Sequence, residues 1–177
     1  MREALLEIAV DHFSRFGFEG AATRAIATDC CTAMSSITYH FGGKEGLYLA
    51  AAEYVAGQIA RAHAAALEEA RNAPIASPAA AVDAMVALLD RFARLMLDEE
   101  SARWASFITR EQQEPTAAFD RIHAIATRPL IDTFQQLIAI ARPDLDVPAR
   151  RATGFLLFGE VITLRAARAS LCRLFDI

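Results

Sequence analysis

The side chains best suited to specific chemistry lie close together between positions 23 and 44. They are hydroxyl, phenol, imidazole and cationic groups, and the set comprises Thr23, Arg24, Ser35, Ser36, Thr38, Tyr39, His40 and Lys44. Hydroxyl groups can bond to phosphates and to base edges, and the methyl group of a threonine can contact the methyl group of thymine. This chemistry suits DNA, although a solvated polar face on a short helix would have the same composition.

Other reactive side chains do not form a recognisable site. The histidines at positions 12, 40, 63 and 123 lack the spacing of metal ligands, both with one another and with the cysteines. Cys30 and Cys31 could form a redox or metal sensor, but two small buried hydrophobic residues would look the same. The sequence contains no nucleophile elbow and no phosphate-binding glycine loop. We therefore expect no catalytic residues, no metal and no cofactor, in a protein that is not an enzyme.

The composition is that of a globular protein outside the membrane. Hydrophobic residues make up 54% of the 177 residues and charged residues 23%, which provides a core and argues against disorder. No apolar run approaches the roughly 18–20 residues of a membrane span. The first residues, MREALLEIAV, include two glutamates and no small-residue cleavage site, so we expect no signal peptide. Three cysteines, two of them adjacent, make no disulfide framework, and the expected location is the cytoplasm.

The charge balance counts against DNA binding. The net charge is −4, and residues 1–48 hold four basic side chains and six acidic ones. Nonspecific affinity for DNA comes largely from the neutralisation of phosphates. Composition alone would not indicate DNA, so that interpretation depends on how the surrounding elements are ordered.

The elements that must position these side chains are helices, because apolar residues recur with a helical period nearly everywhere. No segment has the alternation of a strand, so the sequence predicts an all-α fold. Thr23 is expected to cap the second helix, and Pro129 to kink or split the seventh. The predicted helices are one ending at Gly17, then Thr23 to Asp29, 34–40, Lys44 to Arg71, 79–98, 101–113, 116–141 and 148–174.

The first three predicted helices form a helix-turn-helix pattern, with a tight turn between the second and third and a break at Gly42 and Gly43. A recognition helix must fit a major groove about 12 Å wide, which agrees with the shortness of the third. We therefore expect a DNA-binding domain at residues 1–48. A larger helical bundle at residues 49–177 is expected to bind an effector and to dimerise.

The segments IA at positions 26–27 and ITYHFGGKEGLY at positions 37–48 resemble the DNA-binding signature of the TetR family of transcription regulators. The resemblance implies that Tyr39, His40 and Lys44 contact phosphates. Lys44 also falls where a helix is predicted to begin, and the free amides and dipole at such an end favour an anion.

The resemblance continues in the second half of the chain. The run WASFITREQQEPT at positions 104–116 looks like the C-terminal domain of the CecR-like subgroup of that family, and Gly159-Glu160 and RAAR at positions 165–168 fit it as well. It implies a homodimer that binds a pseudo-palindromic operator, with half-sites about 34–36 Å apart or a multiple of that distance. Repression, relieved by a small-molecule effector, is the mode of action that the resemblance implies.

The sequence departs from the family pattern at three positions of the DNA-binding segment. Cys31 stands in the turn where the family uses glycine, Ala33 where a Ser or Asn often caps the recognition helix, and Ala22 where a hydroxyl is common. A non-glycine residue at positive φ costs of order 1 kcal/mol, and a lost cap about the same. These departures and the acidic charge leave a second hypothesis open: a TetR-shaped helical ligand-binding or interaction protein that no longer reads DNA.

The predicted bundle is rich in aromatic and soft apolar side chains, most of which must form its core. A cavity between its helices could still hold a ligand, with a few polar groups converging on it. Arg110 and Glu111 are candidate polar members, although an ion pair or an interface contact is favoured for them. The effector-binding candidates are Phe92, Met96, Trp104, Phe107, Arg110, Phe119, His123 and Phe155. Apolar residues nearly encircle the last predicted helix, which is therefore either central or shared with a partner, and the resemblance implies a two-fold four-helix interface between two copies.

Overall fold

The computed structural model describes residues 1–176, and at positions 99, 100, 102, 103, 166, 171 and 175 it describes the backbone alone. Within that range every regular element is a helix, so the all-α prediction is confirmed. No helix there combines the length and apolar character needed to cross a bilayer. The elements are α1 (Arg2–Gly20), α2 (Thr23–Asp29), α3 (Met34–Phe41), α4 (Lys44–Asn72), α5 (Pro78–Leu97), α6 (Glu99–Gln113), α7 (Ala117–Ile122), a π-helical turn (His123–Thr127), α8 (Arg128–Ala141), α9 (Val147–Ala166) and α10 (Arg168–Phe175).

These helices form two compact packing units. Unit 1 comprises residues 1–60 and 99–126, and unit 2 comprises residues 61–98 and those from 127 onward, so α4 contributes to both. The DNA-binding domain at residues 1–48 and the effector domain at 49–177 are functional divisions, and they stay a prediction.

Unit 1 is built around the apolar faces of its first four helices. Leu5, Phe13, Ile26, Ile37 and Leu47 are fully buried in it. α6 packs along α1. Unit 1 therefore contains α6 in addition to the three helices of the helix-turn-helix segment and the first turns of α4. This packing holds α2 and α3 in place although neither is long enough to be stable alone.

The helix ends in unit 1 differ from the expected ones at two places. The prediction that Thr23 caps α2 is wrong: Ala22 occupies the cap position and supplies no side-chain hydrogen bond. Gly17 does leave the helical conformation, at φ 69°, but α1 resumes and continues to Gly20. A Cβ on Gly17 would lie 3.2 Å from the guanidinium carbon of Arg110, so glycine serves both the backbone and this contact.

Unit 2 packs α5 against α8 and α9 around a cluster that includes Leu88, Leu130, Phe134 and Ile138. Two of its helices, α5 and α9, are capped by side chains. Ser77 accepts a hydrogen bond at the start of α5, and Asp146 accepts one at the start of α9.

The predicted helix over 116–141 is interrupted, as expected from Pro129. The chain widens into the π-helical turn just before that proline. Proline lacks an N–H and its ring collides with the carbonyl group four residues earlier, and a π turn relieves both problems. The helix predicted over 148–174 is also two helices, because Ala167 leaves the helical range at φ −103° and ψ 8°.

Candidate functional site

The turn between α2 and α3 is closed by backbone hydrogen bonds. The amide of Cys31 donates to the Thr28 carbonyl at 2.9 Å, and that of Thr32 donates to the Ala27 carbonyl at 2.9 Å. This closure puts Cys31 in the left-handed region, at φ 51°, where glycine carries no penalty. The departure at Cys31 is therefore a real strain, of about 1 kcal/mol.

α3 shows a polar face to solvent and buries its opposite side. Ser35, Thr38, Tyr39 and His40 are exposed, whereas Ile37 is buried. Tyr39 is 85% exposed, and its ring meets the edge of the His40 ring at 4.9 Å. An aromatic side chain so far from the core gains nothing from burial within this chain, so its surface is available to a partner.

The start of α3 lacks a side-chain cap but carries a hydrogen bond between two hydroxyl groups. Ala33 offers no side-chain hydrogen bond to the first turn. Thr32 and Ser36 instead bond to each other through their hydroxyl oxygens at 3.0 Å, and Ser36 is half-buried. Ser36 is therefore less accessible than the other predicted members of this face.

Lys44 begins α4, as predicted, but its ammonium group already has two neighbours. It donates to the Glu19 carbonyl at 3.0 Å and lies 4.8 Å from the centre of the Phe18 ring. It therefore ties the end of α1 to the start of α4. An ammonium has three protons, so this contact leaves donors for an anion.

The close approach of two helices explains why the family signature has glycine at position 46. The Phe41 carbonyl lies so close to Gly46 that any Cβ there would overlap with it. The end of α3 and the first turn of α4 can approach one another only because that residue has no side chain.

One cation near α3 was missed by sequence reasoning. The Arg2 guanidinium lies 5.4 Å from the centre of the Phe41 ring, at the end of α3. Nothing in the sequence near Arg2 pointed to its place beside Phe41, because the contact joins residues 39 positions apart.

Two predicted residues lie in the first turn of α2, where Thr23 is half-buried and Arg24 is exposed.

The predicted effector residues divide between the two units. In unit 1, Phe119 and His123 have stacked rings 6.1 Å apart, and Phe107 is fully buried against the Tyr48 ring. Trp104 is half-buried there, and Arg110 is exposed.

In unit 2, Phe92 and Met96 belong to the buried cluster. Phe155 does not: it is 77% exposed on α9 and borders a groove of about 510 Å³ between α8 and α9.

Glu111 forms a hydrogen-bond network within unit 1, where an ion pair or an interface contact was favoured for it. Its carboxylate is 2% exposed and accepts the Tyr48 hydroxyl at 2.5 Å. It also accepts the Thr116 hydroxyl at 2.8 Å, the Thr116 amide at 3.1 Å and the Phe119 amide at 3.0 Å. Those two amides open α7, so the carboxylate sits at the positive end of that helix.

The same contact acts on the phenol. Burial, the hydrogen bond to Glu111 and the charge of that carboxylate raise the pKa of Tyr48, while the positive charge of Arg110 lowers it by a smaller amount. Tyr48 therefore stays a neutral donor. α4, α6 and α7 are joined by one hydrogen-bond network in which both carboxylate oxygens accept, Oε1 from Tyr48 and Oε2 from Thr116 and Phe119.

The described side chains include no group of three His, Cys, Asp or Glu residues placed to hold a metal ion. Cys31 is exposed and Cys30 is half-buried, and both are free thiols.

Comparisons with known proteins bear on both halves of the chain. Residues 5–51 match the family described as bacterial regulatory proteins, tetR family, and residues 81–176 match the C-terminal domain of the HTH-type transcriptional dual regulator CecR. The CecR protein of Shigella flexneri is 30% identical over 175 residues, covering 96% of this chain and 78% of its own length. The regulatory protein RaaS of Mycobacterium tuberculosis (strain ATCC 25618 / H37Rv) is 42% identical over 62 residues, which are 35% of this chain and 29% of RaaS.

Solved structures share the fold. AibR in complex with isovaleryl coenzyme A and operator DNA has a TM-score of 0.72 at 19% identity, covering 93% of this chain and 85% of that one. The regulator FadR from Bacillus subtilis in complex with stearoyl-CoA has a TM-score of 0.67 at 16% identity, covering 96% and 88% of the two chains.

Proposed function

Since the chain belongs to the TetR family of bacterial transcription regulators and carries a CecR-type C-terminal domain, we propose that it is a homodimeric repressor that leaves its operator DNA when a small molecule binds. The observation that supports DNA binding most directly is the face of α3. Its exposed hydroxyl, phenol and imidazole groups stand on a short helix between a tight turn and the cation at the start of α4. In this proposal α3 enters the major groove, and its hydroxyl groups reach base edges.

Cations at one end of this face and on the neighbouring helix α2 answer the objection from net charge. Lys44 and Arg2 both lie beside the Phe41 end of α3, and Arg24 is exposed in α2. Phosphate binding depends on the charges near the groove walls more than on the charge of the whole segment. We propose that Lys44, Arg2 and Arg24 neutralise phosphates, with Tyr39 and His40 donating further hydrogen bonds to them.

DNA binding is tested by selecting genomic fragments with the purified protein and then titrating salt. Changing Lys44 to Ala should weaken binding to all fragments and flatten the salt dependence by about one unit. Lys44→Arg keeps the charge, and Arg15→Ala removes an equal charge from an exposed ion pair with Asp11 on α1, so neither should change the slope. Thr38→Ala should alter the preference at particular bases instead. A protein that enriches no fragment would favour the second hypothesis, a TetR-shaped protein that no longer reads DNA.

The dimer is proposed from the outer surface of α8 and α9. Phe155 and Leu156 are exposed on α9, and Phe155 borders the groove between the two helices, which Ile131 and Val147 also line. A stable dimer interface usually buries more than about 2,000 Å² in total and has an apolar centre. Phe155, expected in the effector site, fits this role better because it faces solvent in a single chain.

The association state follows from sedimentation at micromolar concentration. The expected mass is twice that of the chain, and Phe155→Asp should shift it toward the monomer. Val86→Asp is the matched control, since Val86 is an exposed apolar side chain on α5 of the same unit. A monomeric parent would contradict the proposal.

The effector is proposed to bind among the helices that follow residue 60. Trp104 lies on α6, so its fluorescence would report a ligand that binds near that helix. The structural relatives crystallised with isovaleryl coenzyme A and stearoyl-CoA share less than a fifth of their residues with this chain, so their likeness carries the fold alone. Of the predicted set, Phe92 and Met96 are the members of unit 2 that a buried ligand would meet.

A further inference from the structure

The first residue of α3, Met34, is a large apolar side chain that the fold does not bury. It is 50% exposed, although it precedes the buried Ile37 by three residues, a spacing at which helical side chains usually share one face. Ala33, the residue just before it, is exposed as well. A single exposed methionine is ordinary on most surfaces. This one stands at the start of the helix that reads DNA in the proposed function, so its position bears on which bases are read.

Met34 lies on the face of α3 that is proposed to contact bases. Thr38 follows it by four residues, or about one helical turn, and is also exposed. Side chains with this spacing have Cβ atoms about 5–6 Å apart. Base pairs are stacked about 3.4 Å apart, so the two side chains can reach base pairs one or two steps from each other. In helix-turn-helix proteins the N-terminal residues of the recognition helix contact the base edges, which favours Met34 as a reader.

The other side chains of α3 leave few ways to distinguish bases. Its eight residues, MSSITYHF, include no Arg, Lys, Asn, Gln, Asp or Glu. Those are the side chains that read guanine, adenine and cytosine by directional hydrogen bonds. Hydroxyl groups bond to donors and acceptors alike and therefore discriminate less. Tyr39 and His40 are proposed to bind phosphates, which carry no sequence information.

A methionine at this position suits a methyl group as its partner. Its side chain is unbranched, flexible and polarisable, so it adapts its shape to an apolar surface. The C5-methyl group of thymine is the apolar group that a base pair presents in the major groove. Contact between the two removes both from water.

We propose that Met34 is a specificity-determining residue whose side chain packs on the C5-methyl group of a thymine in each half-site of the operator. This inference rests on the proposed function, because it needs α3 in the major groove. It adds the base that the first turn of α3 selects, which the hydroxyl groups of the same face do not determine.

The test replaces thymine by deoxyuridine, which lacks only the C5-methyl group, one position at a time in a DNA fragment that the protein enriches from genomic DNA. Fluorescence anisotropy of the labelled fragment measures the dissociation constant. The parent protein should bind about four-fold more weakly when the contacted thymine is replaced, the ratio that burial of one methyl-sized apolar group provides. Replacement of thymines that α3 does not reach should leave the affinity unchanged.

Variants of α3 assign the effect to one side chain. Met34→Ala should bind the thymine and deoxyuridine fragments equally at that position, whereas Met34→Leu keeps an apolar contact and should retain most of the difference. Ser35→Ala is the matched control, because Ser35 is the exposed neighbour of Met34 and its hydroxyl group makes no contact in this proposal with the methyl group. Since Met34 is half-exposed, thermal midpoints close to that of the parent should show that these variants remain folded.

Two results would overturn the inference and leave DNA binding standing. One is a parent protein that binds the thymine and deoxyuridine fragments equally at every position. The other is a Met34→Ala variant that keeps the parent's thymine preference at every position. A protein that enriches no genomic fragment would instead contradict the proposed function, and this inference with it.

Discussion

Helix α4 buries two polar rings, and they differ in whether their buried polar atoms have hydrogen-bond partners. In unit 1 Tyr48 donates to a carboxylate that has three further donors, and the whole network is closed. In unit 2 His63 has a buried nitrogen with no partner among the described residues. Both residues come from the same continuous helix, four turns apart.

The difference is between a closed structural network and a buried group that lacks a partner. A fully satisfied buried network holds its members in one arrangement, since each group loses a partner if any other moves. A buried polar atom without a partner instead lowers the stability of the fold, because it has lost its contacts with water. The network of unit 1 should therefore stabilise the fold, whereas His63 should destabilise unit 2 further when it takes up a proton.

The largest expected loss of stability comes from breaking the hydrogen-bond network of unit 1. Glu111→Leu leaves the buried Tyr48 hydroxyl and the partly buried amides of Thr116 and Phe119 without their acceptor, and should lower the free energy of unfolding by about 3 kcal/mol. Urea denaturation measures the loss. Glu114→Leu, an exposed glutamate three residues later, should change it by less than about 0.5 kcal/mol. Equal stability of Glu111→Leu and the parent would show that the network is not structural.

The second effect tests unit 2 by its pH dependence. Burial, and to a smaller extent the charge of Arg91, lower the pKa of His63 from 6.5 to about 4 in the folded protein, so the unfolded chain takes up the proton first as the pH falls. The parent should lose about 3 kcal/mol of stability from this group between pH 6.5 and pH 4, and none from it above pH 7. His63→Leu should lack that loss, and the difference between the two unfolding curves isolates it from the carboxylates. Parallel curves would mean that the imidazole finds water or a partner.

A third, smaller effect sharpens the contrast within unit 1. Tyr48→Phe removes one of four donors to Glu111 and should cost about 1.5 kcal/mol, because the hydrogen bond is buried and charge-assisted. Tyr54→Phe is the matched control: its hydroxyl donates to Glu7 at 3.0 Å, but on the surface, and its loss should cost less than about 0.5 kcal/mol. If both changes lowered the thermal midpoint of unfolding equally, burial would not make the Tyr48 hydrogen bond stronger than that of Tyr54.

The smallest effect concerns the strain that unit 1 does carry. Cys31→Gly relieves φ 51° at the turn and should raise stability by up to about 1 kcal/mol, offset partly by the freer unfolded chain. Cys30→Gly is the control, because Cys30 has an ordinary φ of −83° and can only lose stability. A lower thermal midpoint for Cys31→Gly would mean that contacts of the thiol outweigh the strain.

Much of this was predictable because it depends on neighbours in sequence. Helical periodicity located the helices from α2 to α6 to within a few residues but missed the break at Ala167 between α9 and α10. The break before Pro129 follows from the ring and missing N–H of proline itself. The signature around Tyr39 and Lys44 identified the family, since its glycines are required by the backbone there. The position of Cys31 in the turn was also visible as a departure, although its φ was not.

Other features were not predictable because they join distant residues. The sequence favoured an ion pair or an interface contact for Glu111, but its hydrogen-bond partners come from α4 and from the start of α7, and they include two amides that only the start of α7 exposes. The aromatic residues grouped as one effector site fall in different packing units, because periodicity shows which face of a helix is apolar and not which helix it meets. The contact of Arg2 with Phe41 at the end of α3 was not predictable for the same reason.

The sequence by itself determined the helical class, the helix-turn-helix segment and the family, since these depend on spacing, turn residues and a contiguous signature. Tertiary structure alone decided which buried polar groups are satisfied. In the sequence, His63 was one of four histidines without the spacing of metal ligands, and Tyr48 was the last residue of the family signature. Whether such a group finds a partner depends on the distance to atoms brought by other helices, and a local pattern carries no information on that distance.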